Sequence, residues 1–130
     1  MNTQKTILVV EDEKDLREAL RDALQRKNYL VHEAENGRVG LEAAIENHPD
    51  LILLDLLMPE MDGMTAFKHI REAAWGKDVP VIILTNLNAS SEDLIEDIVT
   101  HKPAEYLIKS DWKIHDVVKK VDEILQKYRK

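Results

Sequence analysis

Five side chains stand where short apolar runs stop: Glu11 and Asp12 after ILVV, Asp55 after LILL, Thr85 after VIIL, and Lys109 after YLI. If those runs are parallel strands, their carboxyl ends share one edge, the edge at which open α/β sheets collect their function. Three carboxylates gathered there repel by about 4 kcal/mol per pair, at about 4 Å and an effective dielectric of about 20, so the cluster calls for counter-charge. Lys109 brings one positive charge. A hard divalent cation brings the rest, since carboxylate, carbonyl and water oxygens suit Mg²⁺ far better than a soft metal. Mg²⁺ pairs naturally with phosphate, which makes phosphoryl transfer the expected chemistry. Asp55 is the candidate nucleophile, forming an aspartyl phosphate, while Lys109 and the Thr85 hydroxyl stabilise charge on the transferring group.

Each residue taken singly also has a plainer role. Glu11 and Asp12 favour the positive end of a following helix. Asp55 suits a turn before Pro59, Thr85 suits a loop cap, and Lys109 suits a solvated position ahead of a helix cap at Ser110 or Asp111. The chemical reading rests on the right residue type recurring at four strand ends.

The elements that must position these residues alternate along the chain, apolar run against helix-period segment, which is the pattern of a parallel sheet covered by helices on both faces. Strands are expected at residues 7–10, 30–34, 51–54, 79–84 and 106–108. The first, third and fourth are nearly continuous in apolar residues and belong at the sheet centre. Leu16, Ala19, Leu20, Ala23 and Leu24 fall on one helical stripe. So do Ile114, Val117, Val118, Val121, Leu125 and Tyr128. Further helices are expected at 38–47, 65–74 and 92–100, the last with Ser91 as N-cap.

A chain of 130 residues fits one domain, and the last helix uses it up, so a single domain over residues 1–130 with no output domain is expected. The net charge of −7 disfavours nucleic acid, which needs clustered Lys and Arg. The basic residues are scattered, and Asp122 and Glu123 interrupt the one basic stretch near the C-terminus. There is no cysteine, which excludes a disulfide framework and zinc-thiolate sites. No apolar run is long enough to span a bilayer and the first residues carry no signal-peptide stretch, so no membrane partner and a cytoplasmic location are expected.

The run LDLLMPEMDG, from Leu54 to Gly63, resembles the phosphoacceptor segment of response-regulator receiver domains. ILVVEDE, VIILTN and YLIK resemble the other functional segments of that family, over essentially the whole length. The resemblance implies a doubly wound α/β fold with a five-stranded parallel sheet in the flavodoxin-like order 2-1-3-4-5. It further implies a stand-alone, chemotaxis-regulator-like switch that takes a phosphoryl group from a sensor histidine kinase or a histidine phosphotransfer protein. Such a switch promotes its own phosphorylation and dephosphorylation, acts on no separate substrate, and signals to a downstream target protein as a monomer or phosphorylation-dependent dimer. By the same resemblance Asp12 and Asp55 bind Mg²⁺ directly, Glu11 does so largely through water, and the Leu57 carbonyl is a third protein ligand. Thr85 and Tyr106 become the switch pair, with core packing the alternative for Tyr106.

Three positions depart from the family pattern. Lys109 is followed by Ser110 rather than by a cis proline, Asn86 replaces a small residue after Thr85, and Leu57 sits where the family tunes hydrolysis. Two rivals fit less well. A flavodoxin-like FMN binder needs a phosphate-cradling first loop, whereas EDEKD would repel a phosphate. A Mg²⁺ phosphohydrolase needs a second carboxylate two residues after Asp55, where Leu57 stands. A degenerate receiver serving only as an adaptor is the third alternative. The five histidines show no metal-ligand spacing, and Met58, Met61 and Met64 suit loop packing.

Overall fold

The computed structural model describes residues 4–56, 62–85, 96 and 98–127. Five parallel strands form one sheet in the order β2-β1-β3-β4-β5: β1 (Thr6–Val10), β2 (Leu30–Ala34), β3 (Leu51–Leu54), β4 (Val81–Thr85) and β5 (Glu105–Ile108). Helices α1 (Lys14–Arg26), α2 (Gly37–Asn47), α3 (Gly63–Glu72) and α4 (Ile114–Lys127) connect and close it. This is the doubly wound architecture expected from the alternation of periods.

Side chains alternate across the pleat, so each central strand feeds two cores. Ile7, Val9, Leu51, Leu53, Ile82 and Leu84 point to one face, where Leu20 and Leu24 of α1 and Val117, Val121 and Leu125 of α4 cover them. Leu8, Val10, Ile52, Leu54, Val81 and Ile83 point to the other, against Ala44 of α2 and Phe67 and Ile70 of α3. Ile124 joins the first core, an addition to the stripe read from sequence.

Boundaries moved where caps and proline act. The β4 ladder starts at Val81 rather than residue 79, because Pro80 has no N–H to donate, although its carbonyl accepts from Ile52 N at 3.0 Å. Helix α3 starts two residues early because the Asp62 side chain accepts from Thr65 N at 2.9 Å, an N-cap. Asn36 caps α2 the same way, accepting from Val39 N at 2.8 Å. At the far end of α3, Arg71 donates to the carbonyls of Gly76 and Val79 at 2.8 and 2.7 Å and to that of His101 at 2.8 Å. It thereby ties α3 to the chain before β4 and before β5.

Of the helix expected at 92–100, residues 96 and 98–100 are helical and Ile98 is buried. Ser91, Tyr128, Met58 and Met61 lie outside the described residues, while Met64 packs in the second core from the first turn of α3. No described helix is long and apolar enough to cross a membrane.

Candidate functional site

The chain leaves β1 at Val10 and β3 at Leu54 on the same edge, and the backbone locks the two exits together: Asp55 N donates to Val10 O at 3.0 Å, and Glu11 N to Ala34 O at 3.0 Å. The next turn begins α1, and there Glu13 N donates to Glu11 Oε2 at 3.0 Å. From the other side of the sheet, Lys109 Nζ reaches Glu11 Oε1 at 2.7 Å and Asp55 Oδ2 at 3.0 Å. Carboxylate oxygens of Glu11, Asp12 and Asp55 lie within 4.8 Å of one another. Glu11 and Asp55 are buried, Asp12 is exposed, and the Lys109 side chain is only 12% exposed. The solvated-lysine role is thus excluded for Lys109. After it the chain makes a single 3-10 turn over Lys109–Asp111, and the peptide joining Lys109 to Ser110 is trans. Neither Ser110 nor Asp111 caps a helix, since α4 begins only at Ile114.

Burial pushes the Glu11 carboxyl up to about 7, with the Asp55 charge adding to the rise and the Lys109 and Glu13 hydrogen bonds opposing it. For Lys109, burial alone would lower the ammonium, but hydrogen bonds and attraction from Glu11 and Asp55 outweigh it and hold the group charged. With burial the main cause of that rise, further positive charge beside Glu11 would favour its ionised form. The donors of the cluster are all carboxylate oxygens, without nitrogen or sulfur, and that set fits a hard divalent ion such as Mg²⁺.

Thr85 is the last residue of β4 and fully buried. Tyr106 is half-buried and packs against the second core. Parallel register pairs Ile83 with Tyr106 and Thr85 with Ile108, so Thr85 and Tyr106 are diagonal neighbours on one face of the sheet. Leu57 and Asn86 lie outside the described residues. Two contributors escaped the sequence reading. Arg17 Nη1 donates to the Glu11 carbonyl at 2.9 Å, a through-space contact with no local signature. Gly63 was noted only as a motif position, yet a Cβ there would lie 1.9 Å from the Asp55 carbonyl oxygen. Its own N–H donates to Leu56 O at 2.9 Å, so the start of α3 is pressed onto the backbone of the Asp55 turn.

The response regulator receiver domain family matches residues 7–122. The chain is 48% identical over 79 residues to the transcriptional regulatory protein ResD of Bacillus subtilis, which covers 61% of this chain and 32% of that protein. Over a stretch of the same length it is 44% identical to the transcriptional regulatory protein SrrA of Staphylococcus aureus, with the same 61% and 32% coverage. The chain therefore spans about a third of the length of these curated relatives, 32% in each case. Among solved structures, the receiver domain of the Francisella response regulator 1452 superposes with a TM-score of 0.83 at 25% identity, covering 97% of this chain and 100% of that one. The chemotaxis response regulator CheY4 of Vibrio cholerae gives the same TM-score, 0.83, and identity, 25%, over 94% and 99% of the two chains. With the family matched from β1 into α4, and the carboxylate cluster and its lysine at the sheet edge, the chain belongs to the response regulator receiver domains, the phosphorylation-dependent switches of two-component signalling.

Proposed function

We propose that Asp55 is the phosphoacceptor and that Glu11, Asp12 and Asp55, with the Leu57 carbonyl, hold the Mg²⁺ on which transfer depends. The observation carrying this reading is the Lys109 ammonium set between Glu11 and Asp55 at 2.7 and 3.0 Å, beside a third carboxylate within 4.8 Å. An Asp55 oxygen attacks the phosphorus of a donor phosphohistidine, the P–N bond breaks, and the imidazole leaves with a proton. When bound, Mg²⁺ supplies positive charge to the phosphoryl oxygens. Lys109 gives up part of its hold on Asp55 to pair with one of those oxygens, and the Thr85 hydroxyl donates to another. Hydrolysis by water restores the carboxylate, so the domain acts on its own phosphoryl group rather than on a separate substrate. The donor is a histidine kinase or phosphotransfer protein in the cytoplasm, and the acidic domain itself has no affinity for nucleic acid.

Acetyl phosphate with Mg²⁺ is expected to add about 80 Da, one HPO₃ unit, by intact-mass spectrometry, and Asp55→Asn to remain unmodified. An adduct that persists in Asp55→Asn would overturn the assignment. A wild-type protein that takes no phosphoryl group would make the domain an adaptor instead.

A further inference from the structure

The Glu11–Asp12 turn is held by more than its own carboxylates. The Glu11 N–H is fixed by the Ala34 carbonyl of β2 at 3.0 Å, and its carbonyl by Arg17 Nη1 at 2.9 Å. That carbonyl belongs to the peptide plane joining residues 11 and 12, so fixing it sets the direction in which Asp12 leaves the strand. Arg17 ends the first turn of α1, and helical side chains lean toward the N-terminus, here toward the sheet edge. Its guanidinium does not float: Nε sits 3.4 Å from Glu33 Oε1 on β2, and the side chain is 14% exposed. Glu33 is held in turn through Oε2 by Arg21 Nη1 at 3.1 Å, and Arg21 is braced by Asp22 Oδ1 at 2.9 Å. The result is a chain of charges from the outer strand to the peptide before Asp12. The planar guanidinium fork holds the Glu11 carbonyl through Nη1 and the Glu33 carboxylate through Nε at the same time.

We propose that Arg17, oriented by Glu33, is a positioning residue for the cation site: it holds the acidic turn in the arrangement that receives Mg²⁺. The inference rests on the reading of that site given above. A side chain that only tied α1 to β2 would contribute to folding and leave Mg²⁺ affinity alone.

Calorimetric Mg²⁺ titration of the whole protein, with melts in EDTA as the folding control, separates the two roles. Arg17→Ala is expected to raise the Kd for Mg²⁺ about tenfold, the lower end of what losing an orienting partner costs. Arg17→Lys, which keeps a donor but not the fork, should fall between, and Glu33→Gln should shift Kd in the same direction. The Mg²⁺ concentration giving half-maximal phosphorylation by acetyl phosphate should move with Kd. If Arg17→Ala does not fold, Arg17→Lys and Glu33→Gln decide the question. Wild-type Kd in both, alongside lost binding in Asp12→Ala, overturns the role of Arg17 and leaves the metal site standing. Absence of Mg²⁺ binding in the wild type overturns both.

Discussion

At the scale of single residues, the central feature is a carboxyl that resists ionisation. The Glu11 carboxyl has an ordinary value of 4.5 and sits at about 7 in the folded protein, so between those values the folded state holds a proton that the unfolded chain has lost. Its contribution to metal-free stability is therefore complete below 4.5 and is lost as pH rises through about 7. If Glu11 helps to hold Mg²⁺ as proposed, binding would expel that proton, and apparent affinity should climb with pH and level off above about 7. Melts in EDTA between about pH 5 and 8 should show stability falling with pH in the wild type and a flatter profile in Glu11→Gln. Parallel profiles for the two proteins would move the titration to another group. Asp12, Asp55, Thr85 and Lys109 were legible because each ends an apolar run. Arg17 was not, since its partner Glu33 belongs to a different element.

At the scale of elements, helix starts and close approaches do the positioning. Gly63 opens α3 where a Cβ would meet Asp55 O at 1.9 Å and Leu56 Cα at 2.6 Å, and backbone cannot turn aside as a side chain can. Gly63→Ala is expected to cost about 3 kcal/mol, the upper range for overpacking, or about 10 °C in Tm, and to slow phosphorylation by displacing the Asp55 turn. Gly40 makes a useful contrast, because the three nearest atoms to a Cβ there are all Val10 side-chain carbons, two of them at 2.7 and 2.8 Å. Gly40→Ala should therefore cost less. Thermal melts of the two variants test the ranking, and equal losses would contradict it. The caps at Asn36 and Asp62 carry a recognisable sequence preference, yet α3 begins at Gly63, two residues before the expected start at residue 65. Periodicity reports the buried face of a helix, while the cap decides where it starts.

At the scale of the whole molecule, phosphorylation must reach a surface that a partner can read. Thr85 and Tyr106 share one face of neighbouring strands; a switch built on them would require the Thr85 hydroxyl to be drawn to new phosphoryl oxygens and the Tyr106 ring to take a second position in the space so freed. A coupling of about 1–3 kcal/mol suffices for a useful change in partner affinity. With 3-fluorotyrosine incorporated, the Tyr106 resonance should shift on phosphorylation in the wild type and stay put in phosphorylated Thr85→Ala. A shift that survives in Thr85→Ala would sever the two residues. The net charge of −7 leads to a second expectation: without a basic stripe to release counterions, the domain should give no gel shift with random duplex DNA at physiological salt. Sub-micromolar retardation would contradict it.

Local pattern determined a good deal of this protein by itself. Nearly continuous apolar runs at residues 7–10 and 51–54 are the pattern expected of strands buried on both faces, and the residues that end such runs in a parallel sheet are brought to one edge. The carboxylates, the hydroxyl and the lysine were readable for that reason. What the tertiary structure decided is how they meet. Lys109 lies 54 residues from Asp55, and whether it is a solvated lysine or a bridge between Asp55 and Glu11 depends on strand order, register and the 3-10 turn at Lys109–Asp111. The upward shift of Glu11 likewise comes from burial by elements that are distant in sequence. Periodicity is a property of neighbours along the chain, whereas charge pairing and desolvation act through space, and only the folded sheet sets those distances.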